Sequence, residues 1–159
     1  SMVEIHNSVA KVYEENKETL EIFECLDEFS DTQNFCDHYG FDIEDSCNAI
    51  LIKAKKPEEF YAMFCVLGAN RLDVNHKAKE AMGAKRVSFA SREEAEAVTG
   101  QIYGGISPLG LPENIKVYMD KNVTDRKKLF IGAGNRVSKF FLSPETLIDL
   151  SSAKVLDLT

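Results

Sequence analysis

Two glycine-containing loops carry the residues whose types and spacing best suit chemistry at a carbonyl group. The first contains Gly104-Gly105-Ile106-Ser107-Pro108. Paired glycines let a backbone approach a ligand closely and adopt positive φ, while proline fixes the direction in which the loop leaves. Successive N–H groups of such a loop can converge on one oxygen, which is what an oxyanion hole requires. The alternative interpretation is an ordinary connection rich in turn residues.

The second loop is Gly132-Ala133-Gly134-Asn135-Arg136, directly after a predicted strand. Val137 stands where a dinucleotide-binding G-x-G-x-x-G motif has its third glycine, and the next residues favour a strand over a helix. This pattern disfavours a dinucleotide-binding fold. Arg136 could contact a phosphate or a carboxylate, or it could be an exposed turn residue. Asp120, at the end of another predicted strand, could line a site or could bond backbone amides.

The cysteines Cys25, Cys36, Cys47 and Cys65 form no C-x-x-C pair and have no histidine at ligand spacing. We therefore predict no metal site and no cofactor, and we interpret the cysteines as small buried residues. A nucleophilic Cys36 near His38 stays open, although closeness in sequence does not make a catalytic pair.

Charge is distributed unevenly along this chain of 159 residues and net charge −7. Residues 1–47 hold 13 acidic and 2 basic side chains, whereas residues 48–159 hold 13 acidic and 17 basic ones. The acidic total argues against a general DNA-binding protein, but an anionic ligand would be attracted to the second part. Apolar runs stay short of the roughly 18 residues that a membrane span needs. The beginning of the sequence lacks the pattern of a signal peptide, so we expect a cytoplasmic protein without a membrane role.

Helices and strands interleave along the sequence to position these loops. Apolar residues from Met2 to Tyr13 follow helical spacing, and Leu20 to Leu26 predict a short strand. Ser30 with Gln33 has the form of a capping box, with Gly40 as the helix end. The runs 49–52 and 61–67 predict two central strands joined as a hairpin.

The second half continues the mixture. Asp73 can cap a helix to Met82, and Ser91 with Glu94 is a second capping box, closed by Gly100. Further predicted strands lie at 87–89, 115–119, 128–131, 138–142 and 155–158, with a helix opened by Ser143-Pro144. Because βαβ regularity is missing, we predict an α+β fold, a mixed sheet or partly closed barrel with flanking helices. We expect one domain over residues 1–159.

Several of these segments together resemble one protein family. In order and spacing the chain is similar to the YbaK-like aminoacyl-tRNA deacylases, which are related to the editing domain of prolyl-tRNA synthetase. The resemblance covers about residues 30–150. It is carried by Asn70 to Asn75 with Lys77, Thr99-Gly100, Gly104 to Gly110, Val117 to Asp120, Gly132 to Arg136 and Leu142 to Leu147.

The resemblance implies a hydrolase that removes a wrongly attached amino acid from tRNA. In the mechanism proposed for such domains, the substrate's free ribose hydroxyl helps to activate water and loop amides stabilise the oxyanion. Well-known members carry an essential lysine at the start of the strand 49–52, where this chain has Asn48. Lys53 is the nearest substitute, but an unbroken strand would direct it to the opposite face. Residues 30–48 also resemble a branch of the family in which asparagine is usual at the position of Asn48.

The predicted site follows from the two loops and the resemblance. We assign catalytic roles to Gly104, Gly105 and Asn48, and expect an alanyl, seryl or threonyl group between them. The predicted partner is aminoacyl-tRNA, with a synthetase as a further one. The alternatives are a non-catalytic module that binds tRNA or a synthetase, and an interaction domain that uses the acidic residues 1–47. The predicted substrate-binding residues are Ile106, Ser107, Pro108, Asp120, Gly132, Gly134, Asn135 and Arg136.

Overall fold

The computed structural model describes residues 3–159, which form two β-sheets with helices packed around them. A wide, π-type helical turn (Val74–Ala78) leads into the third helix. Met2, the first residue of the predicted N-terminal helix, lies outside the described residues. The α-helices are α1 (Asn7–Glu15), α2 (Thr32–Tyr39), α3 (Lys79–Met82), α4 (Arg92–Thr99) and α5 (Pro144–Ser151).

The strands divide into a three-stranded antiparallel sheet and a five-stranded mixed sheet. The first has the order β1-β7-β6 and the second the order β4-β2-β3-β5-β8. A single bridge between Ser46 and Phe130 links them, and the sheets of residues 3–159 do not close into a barrel. The predicted α+β fold with a mixed sheet is confirmed. The strands are β1 (Glu21–Glu24), β2 (Cys47–Lys56), β3 (Phe60–Leu67), β4 (Arg86–Phe89), β5 (Lys116–Asp120), β6 (Leu129–Gly132), β7 (Ser138–Leu142) and β8 (Lys154–Leu156).

The predicted hairpin is the centre of the larger sheet. β2 and β3 pair antiparallel without interruption from Cys47 opposite Leu67 to Ala54 opposite Phe60. β3 then pairs in parallel with β5, and β5 with the edge strand β8. Parallel neighbours need long crossover connections. Here the segment between β3 and β5 holds α3, β4, α4 and the first glycine loop.

Helix ends largely follow the predicted capping residues. Ser91 and Glu94 form a reciprocal capping box, and the side chain of Asp73 accepts from the amide of His76. The prediction of Ser30 as a cap is wrong. Asp31 caps α2 by accepting from the Asn34 amide at 3.0 Å, because the helix begins at Thr32 and the residue just before it occupies the capping position. Ser30 itself is buried.

Apolar side chains gather into three clusters. The largest lies between the sheets and α1, α4 and α5, and the second lies under α3 on the other face of the larger sheet. The third packs α2 against the smaller sheet through Phe23, Phe35, Phe130 and Phe141. All four cysteines are buried free thiols, as predicted. Among residues 3–159 there is no helix with the length and hydrophobicity needed to span a membrane.

Candidate functional site

A cavity of about 320 Å³ opens where the two sheets meet. The start of β2 lines one part of the cavity, the end of β6 and the start of β7 line another, and the first glycine loop lies at its mouth. It is the place where both predicted glycine loops and Asn48 come together. The cavity is lined by Thr32, Ser46, Cys47, Asn48, Ala49, Ile50, Tyr103, Gly104, Gly105, Ile106, Phe130, Ile131, Gly132 and Lys139.

Backbone hydrogen bonds fasten the first glycine loop to the second. The Ile102 amide donates to the Gly134 carbonyl at 2.9 Å, and the Gly134 amide donates to the Gly105 carbonyl at 2.7 Å. Side chains are excluded from this junction: a Cβ on Gly105 would overlap the carbonyl oxygen of Asn135. A Cβ on Gly132 would likewise overlap the carbonyl oxygen of Ile106. Two backbones therefore meet here in a way that only glycine permits.

The loop leaves two amides without an acceptor among the described residues. Gly104 has φ of +92°, and neither its N–H nor that of Ile106 donates to a protein group within residues 3–159. The Gly105 amide differs, because it donates to the Ile102 carbonyl at 2.9 Å. Its N–H is thus not available to a ligand in this arrangement. Two unpaired amides flanking a fixed residue form a potential oxyanion site.

Asn48 lies exposed at the cavity, and Lys53 does not reach it. The register of β2 with β3 is regular from Asn48 to Lys53, so their side chains leave opposite faces of the strand. Lys53 donates to Glu94 at 2.6 Å, and this hydrogen bond, with help from the Ser91 amide, lowers the pKa of Glu94 to about 2. The strand therefore contributes an uncharged amide to the cavity rather than an ammonium group.

Six of the predicted substrate-binding residues lie outside the cavity lining. Three of them, Ser107, Pro108 and Asp120, are buried elsewhere in the fold. The amide of Ser107 bonds to the side chain of Gln101, and its Oγ accepts from the Leu109 amide. Pro108 is buried beside the exit of the loop and lines a different depression. Asp120 is fully buried and accepts from the Leu158 amide at 2.8 Å, which ties the C-terminal segment to β5.

The second loop contributes Gly132 to the lining, while its remaining predicted residues support the loop from behind. Gly134 packs against His6, and Asn135 accepts from the Val137 amide and the Ser138 hydroxyl. Arg136 donates to Asp27 at 2.8 Å and lies close to Gly104 at the edge of the mouth. These residues hold the loop in place without facing the cavity.

Lys139 is the residue that the sequence analysis missed. It is 8% exposed, donates from Nζ to the Ser30 carbonyl at 2.9 Å, and lies 5.1 Å from the centre of the Phe35 ring. Burial lowers its pKa. The signal in the sequence was a lysine inside a largely apolar predicted strand, Ser138-Lys139-Phe140-Phe141-Leu142. A strand of this composition is expected to be buried, and a buried charge is costly unless it has a partner or a ligand.

Among the described residues that line the cavity there is no nucleophile paired with a base. Cys47 contributes the one thiol of the lining, and a hydrogen bond with Cys65 together with burial raises its pKa well above the ordinary value, which keeps it protonated. The three histidines of the sequence lie elsewhere: His6 caps α1, His38 stacks on Phe29, and His76 bonds to Asp73. The structure does not support Cys36 as a nucleophile activated by His38. The His38 ring is stacked on Phe29, and burial raises the pKa of the Cys36 thiol.

The fold and the cavity together define a class of protein: a small α+β domain in which paired glycines present backbone amides at a cavity between two sheets. Residues 27–150 match the family of the aminoacyl-tRNA editing domain, and the chain belongs to that family.

Similar proteins agree with this assignment. The chain is 30% identical over 92 residues to a protein of Enterococcus faecalis named "Putative Cys-tRNA(Pro)/Cys-tRNA(Cys) deacylase EbsC", covering 58% of this chain and 56% of that protein. It is 42% identical over 57 residues to a proline–tRNA ligase of Streptococcus suis, covering 36% of this chain and 9% of the ligase. The chain thus spans only part of these relatives.

A solved structure shares the fold over almost the whole chain. It is titled "Crystal structure of a putative trans-editing enzyme for prolyl tRNA synthetase" and superimposes with a TM-score of 0.82 at 23% identity, covering 98% of this chain and 99% of the other.

Proposed function

We propose that this protein hydrolyses the ester between an amino acid and the terminal ribose of a tRNA, acting in trans on charged tRNA. The observation that carries the proposal is the pair of unpaired amides, on Gly104 and Ile106, at the mouth of the cavity. Family membership supplies the substrate class. The amides would bind the carbonyl oxygen as it gains negative charge, a type of contact whose removal costs about 10²–10³ in rate.

The chemistry of the lining favours water as the nucleophile. No histidine and no carboxylate belongs to the residues that line this cavity in the described part of the chain. A mechanism in which the substrate's own free ribose hydroxyl orients or deprotonates the water needs only a site that positions the ester. Gly104, Ile106 and Asn48 would supply that positioning.

Asn48 is the proposed substrate-orienting residue. Its amide offers two donors and one acceptor, and its side chain makes no hydrogen bond to residues 3–159. It could therefore bond a carbonyl or hydroxyl of the aminoacyl group. The lining also includes small residues such as Ala49 and Gly132, and the cavity volume is modest, which supports a small group such as alanyl, seryl or threonyl.

A deacylation panel tests this function. tRNAs charged with alanine, serine, threonine, cysteine or proline are incubated with wild type, Asn48→Ala, Gly104→Ala and Gly100→Ala. Gly100 is the matched control, since it also has positive φ (+70°) but an added Cβ would meet nothing within 4 Å. We expect turnover of one of the small aminoacyl groups, reduced in Asn48→Ala and Gly104→Ala and retained in Gly100→Ala.

The alternative is a non-catalytic module that binds tRNA or a synthetase. It is favoured by the fact that the lining residues of the described range 3–159 include no histidine or carboxylate as a general base. It predicts that charged tRNA binds while its ester survives for as long as in buffer alone. Failure to hydrolyse any ester of the panel at high enzyme concentration would refute the proposed hydrolase.

A further inference from the structure

Of the residues within 3–159 that line the cavity, Lys139 alone is charged. It reaches the cavity from β7, on the sheet opposite the strand that carries Asn48. The ammonium group has three donors, and one of them is satisfied by the Ser30 carbonyl. No carboxylate of residues 3–159 lies within 4 Å of it. The cavity wall thus holds a largely buried cation with spare donors.

The charges around Lys139 do not neutralise it locally. The thiols of Cys25 and Cys36 lie in its surroundings, and Asp31 is a carboxylate that favours its charged form. That carboxylate is exposed and caps α2 through the Asn34 amide. Arg136 adds positive potential and is itself paired with Asp27. The face of Phe35 compensates part of the charge.

A buried charge without a counter-ion is expensive for the fold. Desolvating an ammonium group costs several kcal/mol, more than one hydrogen bond and one aromatic face return. A methionine of similar length would avoid this cost at the same position. Residues that lower stability in this way are found where a ligand completes the site.

We propose that Lys139 binds a phosphate oxygen of the terminal nucleotide of the charged tRNA, and so is the anion-binding group of the cavity. The inference rests on the proposed function for the identity of the ligand. Within an aminoacylated tRNA end, the phosphate carries a full negative charge before reaction, whereas the amino acid contributes a cationic amine and a neutral ester. A largely buried ammonium in the wall of this cavity therefore attracts the phosphate.

Binding of adenosine monophosphate and of adenosine tests the proposal without any hydrolysis. Affinities are measured by NMR titration at low salt for wild type, Lys139→Met, Lys139→Arg and Lys11→Met. Lys11 is the charge-matched control, because its side chain is 91% exposed on α1. We expect wild type and Lys11→Met to prefer the monophosphate at least tenfold. Lys139→Arg should keep part of this preference. Lys139→Met should lose the preference, while its affinity for adenosine and its Tm should be no lower than those of wild type.

Two results would overturn the assignment: wild type without any preference for the monophosphate, or a preference that persists in Lys139→Met. Since wild type alone can fail the test, the result does not depend on how the variants fold. Hydrolysis is scored separately on charged tRNA. An intact monophosphate preference in a protein that hydrolyses no ester would refute the proposed function and leave the Lys139 assignment standing. A wild-type protein that hydrolyses charged tRNA but shows no monophosphate preference would refute the Lys139 assignment and leave the proposed function standing.

Discussion

Substituting Gly105 by alanine should separate the two glycine loops. The backbone of Gly105 is not in the left-handed region, so the penalty is purely steric: the new Cβ would overlap the Asn135 carbonyl, which is backbone and cannot rotate away. The loops must then move apart and weaken two hydrogen bonds, Ile102 to Gly134 and Gly134 to Gly105.

The magnitude follows from these contacts. Each hydrogen bond is worth about 1 kcal/mol, and forced overpacking adds about 1–3 kcal/mol. We expect a loss of about 4 kcal/mol in the free energy of unfolding. At about 2–4 °C per kcal/mol for a chain of this size, Tm should fall by about 12 °C. Since the amides of Gly104 and Ile106 move with the loop, deacylation should fall about 10²-fold or more.

Calorimetry and urea unfolding measure the stability, and the charged-tRNA assay measures the rate at a temperature where the variant is folded. Gly100→Ala serves as the control. It should lose about 1 kcal/mol for its left-handed conformation and keep its activity, because a Cβ there meets no neighbouring atom. If Gly105→Ala were as stable as Gly100→Ala, the close junction of the two loops would be wrong as described.

Three further perturbations probe the supports of the site. The Lys53 ammonium and the Ser91 amide hold the pKa of Glu94 at about 2 instead of 4.5, so the folded state gains stability that is complete above pH 4.5 and is lost as pH falls toward 2. Glu94→Gln should therefore flatten the fall of Tm between pH 5 and pH 2, and an unchanged pH profile would contradict this. Ser91→Ala removes one side of the capping box and should lower the unfolding free energy by about 1 kcal/mol in urea unfolding, whereas Ser91→Asp should restore most of it. Asp120→Ala leaves the amides of Leu158 and Asn122 unpaired and should cost about 3 kcal/mol, with faster hydrogen exchange at β8; Asp120→Asn, which keeps an acceptor, should cost less.

Local features of the fold were readable from the sequence because their causes are local. The capping box at Ser91, the left-handed glycines at Gly40 and Gly100, and the central hairpin each depend on residues a few positions apart. The cap at Ser30 was misassigned because Asp31 offers the same chemistry one residue later, and only the geometry of the helix end separates the two. Pairing of distant strands, such as β8 beside β5, had no comparable signal.

By itself the sequence determined which loops could present amides, since paired glycines and a nearby proline restrict what a backbone can do. Tertiary structure alone decided which side chains share the cavity. It brings Lys139 of β7 to the same space as Asn48 of β2, and it turns Asp120 and Ser107 toward backbone amides. The physical reason is that the two sheets meet through contacts between residues far apart in the chain. No periodicity along a single strand encodes such contacts.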